Sequence, residues 1–121
     1  MAHATPDTDV VDWISAPAGD GCTLSWRVLD GTTRFRLWGR LDLATAPSFE
    51  SALAVARPRD EPSVWLDLTG LQFLAVAGVR AFLRVDASCR SAGGRLVLLR
   101  PGAEVRRLLQ LTGTARLVRT G

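Results

Sequence analysis

Hydrophobic residues recur with two different periods along this chain, and the order in which those periods alternate leaves few folds open. TLSWRVL (23–29) puts Leu24, Trp26 and Val28 on one side, the period of two expected of a half-buried strand. Asp30-Gly31 is a hairpin signal, and TTRFRLWGRLDL (32–43) resumes the alternation with Phe35 and Leu37 opposite Arg34 and Arg36. The period then lengthens. Phe49, Ala52, Leu53 and Ala56 repeat at helical spacing behind a candidate N-cap, Thr45, with Pro47 tolerated in the first turn. SVWLDL (63–68) is short and apolar, as a central strand is. Residues 79–91 predict a second helix, with Phe82, Val85 and Cys89 inward and Arg80, Arg84 and Ser88 along the opposite side. Ala92-Gly93-Gly94 stops it, and RLVLL (95–99) is another buried strand. Pro101 opens a third helix, faced inward by Val105, Leu108 and Leu109 and closed at Gly113, and residues 115–118 are a candidate last strand. The order β-β-α-β-α-β-α-(β) predicts one α/β domain. Its mixed, mostly parallel β-sheet of four to five strands packs with three to four helices through right-handed crossovers.

The length of 121 residues suits a single domain with a real core. Residues 1–21 stand apart: Pro6, Pro17, Gly19 and Gly21 are interleaved with Asp and Thr, which predicts a flexible acidic N-terminal arm ahead of a domain over 22–121. Val10, Val11, Trp13 and Ile14 are the residues by which that arm can dock. No apolar run reaches the roughly 20 residues of a membrane helix. The start, MAHATPDTD, lacks the basic-then-apolar order of a signal peptide, so a cytoplasmic protein with no membrane contact is expected. Cys22 and Cys89 lie outside any CxxC spacing and are read as buried thiols of a reducing compartment.

All fifteen basic residues are Arg. Four Asp and no Arg in residues 1–20, against a net +3 for the chain, leave +7 on the remainder. Because those Arg residues are scattered through every segment rather than gathered in one run, they read as solvated surface, and nucleic acid is disfavoured as a partner.

Catalysis is not expected. The single histidine, His3, lies in the arm, there is no Lys, and no ligand set for zinc or iron occurs. Ala92-Gly93-Gly94 connects a helix to a strand, the wrong way round for a phosphate-binding loop. Asp42 and Asp67 are carboxylates that nothing marks as an acid/base pair. Neither metal nor cofactor is implied.

Three stretches, taken in order, resemble the STAS domain family of SpoIIAA-like anti-sigma factor antagonists. GRLDLATAPSFESAL (39–53) is similar to its "G-x-L-D-x-x-T-A" signature. VWLDLTGLQFLAVAGVRAFL (64–83) is similar to its strand-loop-helix "V-x-x-D-L-S-x-hydrophobic-x-F-hydrophobic-D-S-S-G-hydrophobic". GGRLVLLRPGAEVRRLLQLTG (93–113) resembles its closing strand and helix. The resemblance spans about residues 23–119 and implies a regulatory protein-binding module that docks on an anti-sigma factor or a serine kinase-type protein. In the family, phosphorylation of the first Ser of Asp-Ser-Ser-Gly ends the docking. A phosphate there sits at a helix N-terminus and adds about −1.5 to −2 charge to the contact face.

This chain departs from that pattern at the switch. Ala75 stands for the Asp, Val76 for the phosphorylated Ser and Ala77 for the second Ser; only Gly78 is kept. With the phosphorylation position lost at Val76, the implied partner switch cannot run there, and the turn lacks a polar N-cap, a loss of about 0.5–2 kcal/mol of helix stability. Two outcomes compete: a non-switchable antagonist, or a scaffold subunit of a larger signalling assembly, homo- or hetero-oligomeric, joined through a dry patch at Ala75, Val76 and Ala77. A small-ligand sensor is a third reading. The partner-binding candidates are Asp42, Thr45, Ala75, Val76, Ala77, Gly78, Arg80 and Arg84. Asp42 is either a partner contact or a cap on its own turn, and Thr45 is a helix N-cap rather than a phosphosite. Thr69 is expected to make a loop hydrogen bond, with a replacement phosphoacceptor as the sharper alternative. Trp26, Trp38 and Trp65 are read as core or face-covering, and an exposed one would mark a hot spot.

Overall fold

The computed structural model describes residues 13–119. The Asp30-Gly31 signal forms its hairpin: both residues have positive φ (53° and 78°), the twist that joins antiparallel strands through a two-residue turn. That turn links β2 (Cys22–Leu29) to β3 (Thr32–Leu41). At ten residues β3 is the longest strand, and the rest of the fold is arranged around it. One edge pairs with β2. The other edge is shared, its first half running parallel to β4 (Val64–Asp67) and its second half to β5 (Leu71–Leu74). The change of partner falls at Gly39, with φ 90°, where a Cβ would meet the Gly21 carbonyl oxygen at 2.2 Å. Beyond β4 lies β6 (Leu96–Leu99), also parallel.

Among the described residues three helices pack with the sheet: α1 (Ala46–Ala56), α2 (Val76–Ser91) and α3 (Ala103–Leu111). The pairings put Leu24, Phe35, Leu37, Leu66, Leu96 and Leu98 on one side of the sheet, because residues opposite one another across a ladder share a face. Phe49 and Leu53 of α1 and Phe82, Val85 and Cys89 of α2 join that side in one core. Phe49 and Phe82 meet edge to face at 5.9 Å. Val105 and Leu109 bring α3 into the same core.

The α/β class and the mixed sheet stand as read, but among the described residues the sheet has six strands. Two were not legible. β1 (Ile14–Pro17) falls within the stretch assigned to the arm, and it pairs antiparallel with β2. It contains a proline and shows no alternation; an edge position tolerates both, and a Ser15–Ser25 hydroxyl bond (2.8 Å) ties it down. Residues 1–12 lie outside the described residues, as does His3. β5 is four residues read as loop, too short to show a period, and its identity comes from β3. Residues 115–117 form a 3₁₀ turn instead of a strand, and Val118 contributes an isolated bridge to Leu98. Pro101 precedes rather than opens α3, whose N-cap is Gly102.

One buried carboxylate was not anticipated. Asp86 of α2 is 3% exposed and accepts from the Leu96 amide (3.0 Å) and from Arg90 Nε (2.8 Å), tying the helix to β6. Burial pushes its pKa up, but these hydrogen bonds and the Arg90 charge outweigh it and hold the carboxyl below its ordinary value.

Candidate functional site

β3 and β5 end side by side, and the loops that leave them carry most of the candidate residues. After β3 the chain turns through Asp42–Thr45. Asp42 Oδ1 accepts from the amides of Ala44 (3.0 Å) and Thr45 (3.1 Å). Thr45 Oγ1 donates to the Arg40 carbonyl (2.8 Å) and accepts from the Asp42 amide (3.0 Å). The two residues thus close one another's turn, as short polar side chains do in loops. Asp42 behaves as the cap on its own turn. Thr45 holds the N-cap position of α1, but its buried hydroxyl makes no bond to the helix amides, since the loop has already taken it.

The second loop is Ala75–Gly78. The Ala75 amide donates to the Leu41 carbonyl (2.9 Å), fastening this loop to the end of β3, and its own carbonyl accepts from the Gly78 and Val79 amides. Ala75 is the N-cap of α2, with the extended backbone such a position requires (φ −102°, ψ 170°), yet no side chain caps the helix. Gly78 has a steric reason. A Cβ there would meet Leu74 Cδ1 at 2.6 Å and the Leu41 carbonyl oxygen at 2.8 Å, so glycine allows the first turn of α2 to lie against β3. Val76, the first helical residue, is 50% exposed, and Leu43 in the neighbouring loop is 81% exposed. The result is an uncapped helix N-terminus, the positive end of its dipole, bordered by apolar side chains.

The structure brings Asp42, Thr45, Ala75, Val76, Ala77 and Gly78 to one end of the sheet, with exposed Arg80 one turn along α2. Arg84 is engaged elsewhere. Its guanidinium makes a two-pronged ion pair with Glu50 of α1 (2.9 and 2.7 Å). With an Arg57–Ser88 bond (3.1 Å), it bridges α1 and α2 across a groove of about 330 Å³. Thr69 makes the expected loop bond, its hydroxyl donating to Asp67 Oδ1 (2.7 Å). Arg100 Nη2 reaches the other oxygen at 2.8 Å. Burial raises the Asp67 pKa less than these bonds lower it, leaving the carboxyl below its usual range. Both cysteines are free and buried, and burial pushes the Cys22 thiol up to about 11, which suppresses thiolate chemistry. Leu43 was missed by sequence reasoning: in phase with Phe35, Leu37 and Leu41 it reads as an inward strand residue, whereas β3 stops at Leu41 and leaves it exposed.

Among the described residues no helix is long and apolar enough to cross a membrane. The Mlab, STAS domain family matches residues 26–119. BtrV of Bordetella bronchiseptica, which bears the name of an anti-sigma factor antagonist, is 33% identical over 85 residues, covering 70% of this chain and 73% of its own. Among solved structures, an anti-sigma factor antagonist from Mycobacterium paratuberculosis matches with a TM-score of 0.70 at 24% identity, over 89% of this chain and 92% of that one. SpoIIAA in its unphosphorylated form matches at 0.64 and 20% identity, over 79% and 87%. Both structural likenesses speak to the fold.

Proposed function

This chain belongs to the STAS domain family, and from that premise we propose that it is a regulatory protein-binding module of the anti-sigma factor antagonist kind. It docks on an anti-sigma factor or a related serine kinase-type protein through the end of the sheet where α2 begins. The observation that carries this reading is Val76: it occupies the first turn of α2, half exposed and without a hydroxyl, between Ala75 and Ala77. A partner seated there meets a surface that no kinase can charge at that position. Docking is therefore constitutive and is set by the abundance of the two proteins.

The test is a binding measurement with a purified serine kinase-type anti-sigma factor, with and without ATP. The wild-type chain should bind equally in both. Val76→Ser should restore loss of binding on ATP addition. Val76→Asp should weaken binding by about tenfold or more, because an unpaired charge enters a desolvated contact. Wild-type protein that is phosphorylated and released, or that does not bind at all, overturns the reading.

Exposed Val76 and Leu43 (50% and 81%) favour a second reading, a scaffold subunit that assembles through the dry turn Ala75–Ala77 and its neighbour Leu43. Sedimentation would then show an oligomer sensitive to Val76→Asp and Leu43→Asp. A monomer unaffected by either change removes it.

A further inference from the structure

We propose that the face of the sheet opposite α1 and α2 binds single-stranded nucleic acid. Arginines that look scattered in the sequence converge here, because alternation on β2 and β3 sends Arg27, Arg34, Arg36 and Arg40 to the same side. Arg27 and Arg34 are direct partners across the ladder, which sets their side chains next to one another. The Nε atoms of Arg34 and Arg36 are buried without a hydrogen-bond partner. Among the described residues, the acid on this face, Asp67, is already held by Arg100. Arginines therefore outnumber acids among the described residues of this face, which favours an anionic ligand.

The cations are interleaved with aromatic rings. The Arg36 guanidinium lies 3.6 Å from the centre of the Trp13 ring and 5.0 Å from that of Trp38. Arg34 and Arg119 sit over Trp65 at 5.4 and 5.2 Å, and Arg40 sits over Phe73 at 4.2 Å. Trp38 rests against Gly70, where a Cβ would strike its ring at 2.2 Å, and remains 42% exposed; Phe73 is 40% exposed. Rings of this kind accept unpaired bases by stacking, while arginines beside them hold the phosphates. Same-side residues along β3 recur at about 6.7 Å, a period that an extended polyanionic backbone can follow. An acidic polypeptide would gain from the arginines alone, because the negative faces of the rings repel carboxylates.

The proposal does not depend on the docking function at α2. It is tested on the full chain by fluorescence anisotropy with labelled 20-mers of dT and rU, and with heparin and polyglutamate as anions that have no bases. Oligonucleotide affinity should fall with salt at a slope of about −0.7 per phosphate contacted. Trp38→Ala, which changes no charge, should weaken oligonucleotide binding about tenfold and leave heparin unaffected. Arg36→Ala should weaken both and flatten the salt slope, while Arg106→Ala on α3 should do neither, each variant being checked for an intact far-ultraviolet circular dichroism spectrum. Three results overturn the proposal: no oligonucleotide binding at low salt, Trp38→Ala without effect, or polyglutamate binding as tightly as the oligonucleotides, which assigns the face to an acidic protein.

Discussion

At the start of α2 the chain sets apolar residues against the positive end of a helix; on the face of the sheet turned away from α1 and α2 it gathers arginines among aromatic rings. Both regions give up local stability. The first forgoes a capping side chain, and the second buries the Nε atoms of Arg34 and Arg36 without a hydrogen-bond partner. Elsewhere the same chain satisfies its polar groups closely: Asp42 with Thr45, Asp67 with Thr69 and Arg100, Asp86 with Leu96 and Arg90. The contrast teaches where to look for partners. On the two readings proposed above, the first surface takes a neutral protein contact and the second an anion.

The steric side of the comparison carries the largest effect. Gly78→Val should destabilise the domain by about 2–3 kcal/mol, since the added atoms meet the Leu41 carbonyl and neither loop can retreat; chemical denaturation reads this directly. Asp86→Ala should cost about 1–2 kcal/mol by leaving the Leu96 amide without its acceptor. Asp86 and Asp67 also set the acid limit. Their folded pKa values lie below the unfolded ones, so their contribution is complete at neutral pH and is lost as pH falls below roughly 4. The thermal midpoint should hold from pH 7 to 5 and drop beyond, and Asp86→Asn should flatten part of that drop.

Ala75→Asp sharpens the comparison in the opposite direction. The backbone at Ala75 already suits a capping residue, so this variant should gain about 1 kcal/mol in stability. A gain in stability accompanied by weaker partner binding would show that the apolar turn is kept for docking. The smallest effect is expected at Arg84→Ala. Its pair with Glu50 is well formed, but the side chain is exposed and solvent screens such pairs, so chemical denaturation should barely register the change.

Much of this was legible because local physics decides it. The period-two runs of β2 and β3, the Asp30-Gly31 turn and the inner faces of α1 and α2 follow from the arrangement of side chains along one element. The apolar turn at Ala75–Ala77 was legible for the same reason: a missing hydroxyl is visible without coordinates. β1 and β5 were not, since a four-residue stretch without a period becomes a strand only when a neighbour offers its edge. Asp86 was hidden because a charge on a helix reads as solvated until the helix is seen to press that side against a strand.

Alternation along β3 determined by itself that Arg34, Arg36, Trp38 and Arg40 share a side, and composition determined that no histidine or lysine chemistry was available in residues 13–119. Only the tertiary structure decided which side of the sheet the helices cover, and hence whether those arginines and rings face one another or a helix. It alone brought Leu43 and Val76 to one end of the sheet and turned Arg84 toward Glu50. A strand's own residues set its two faces, but crossovers and pairings between distant segments choose which face meets solvent.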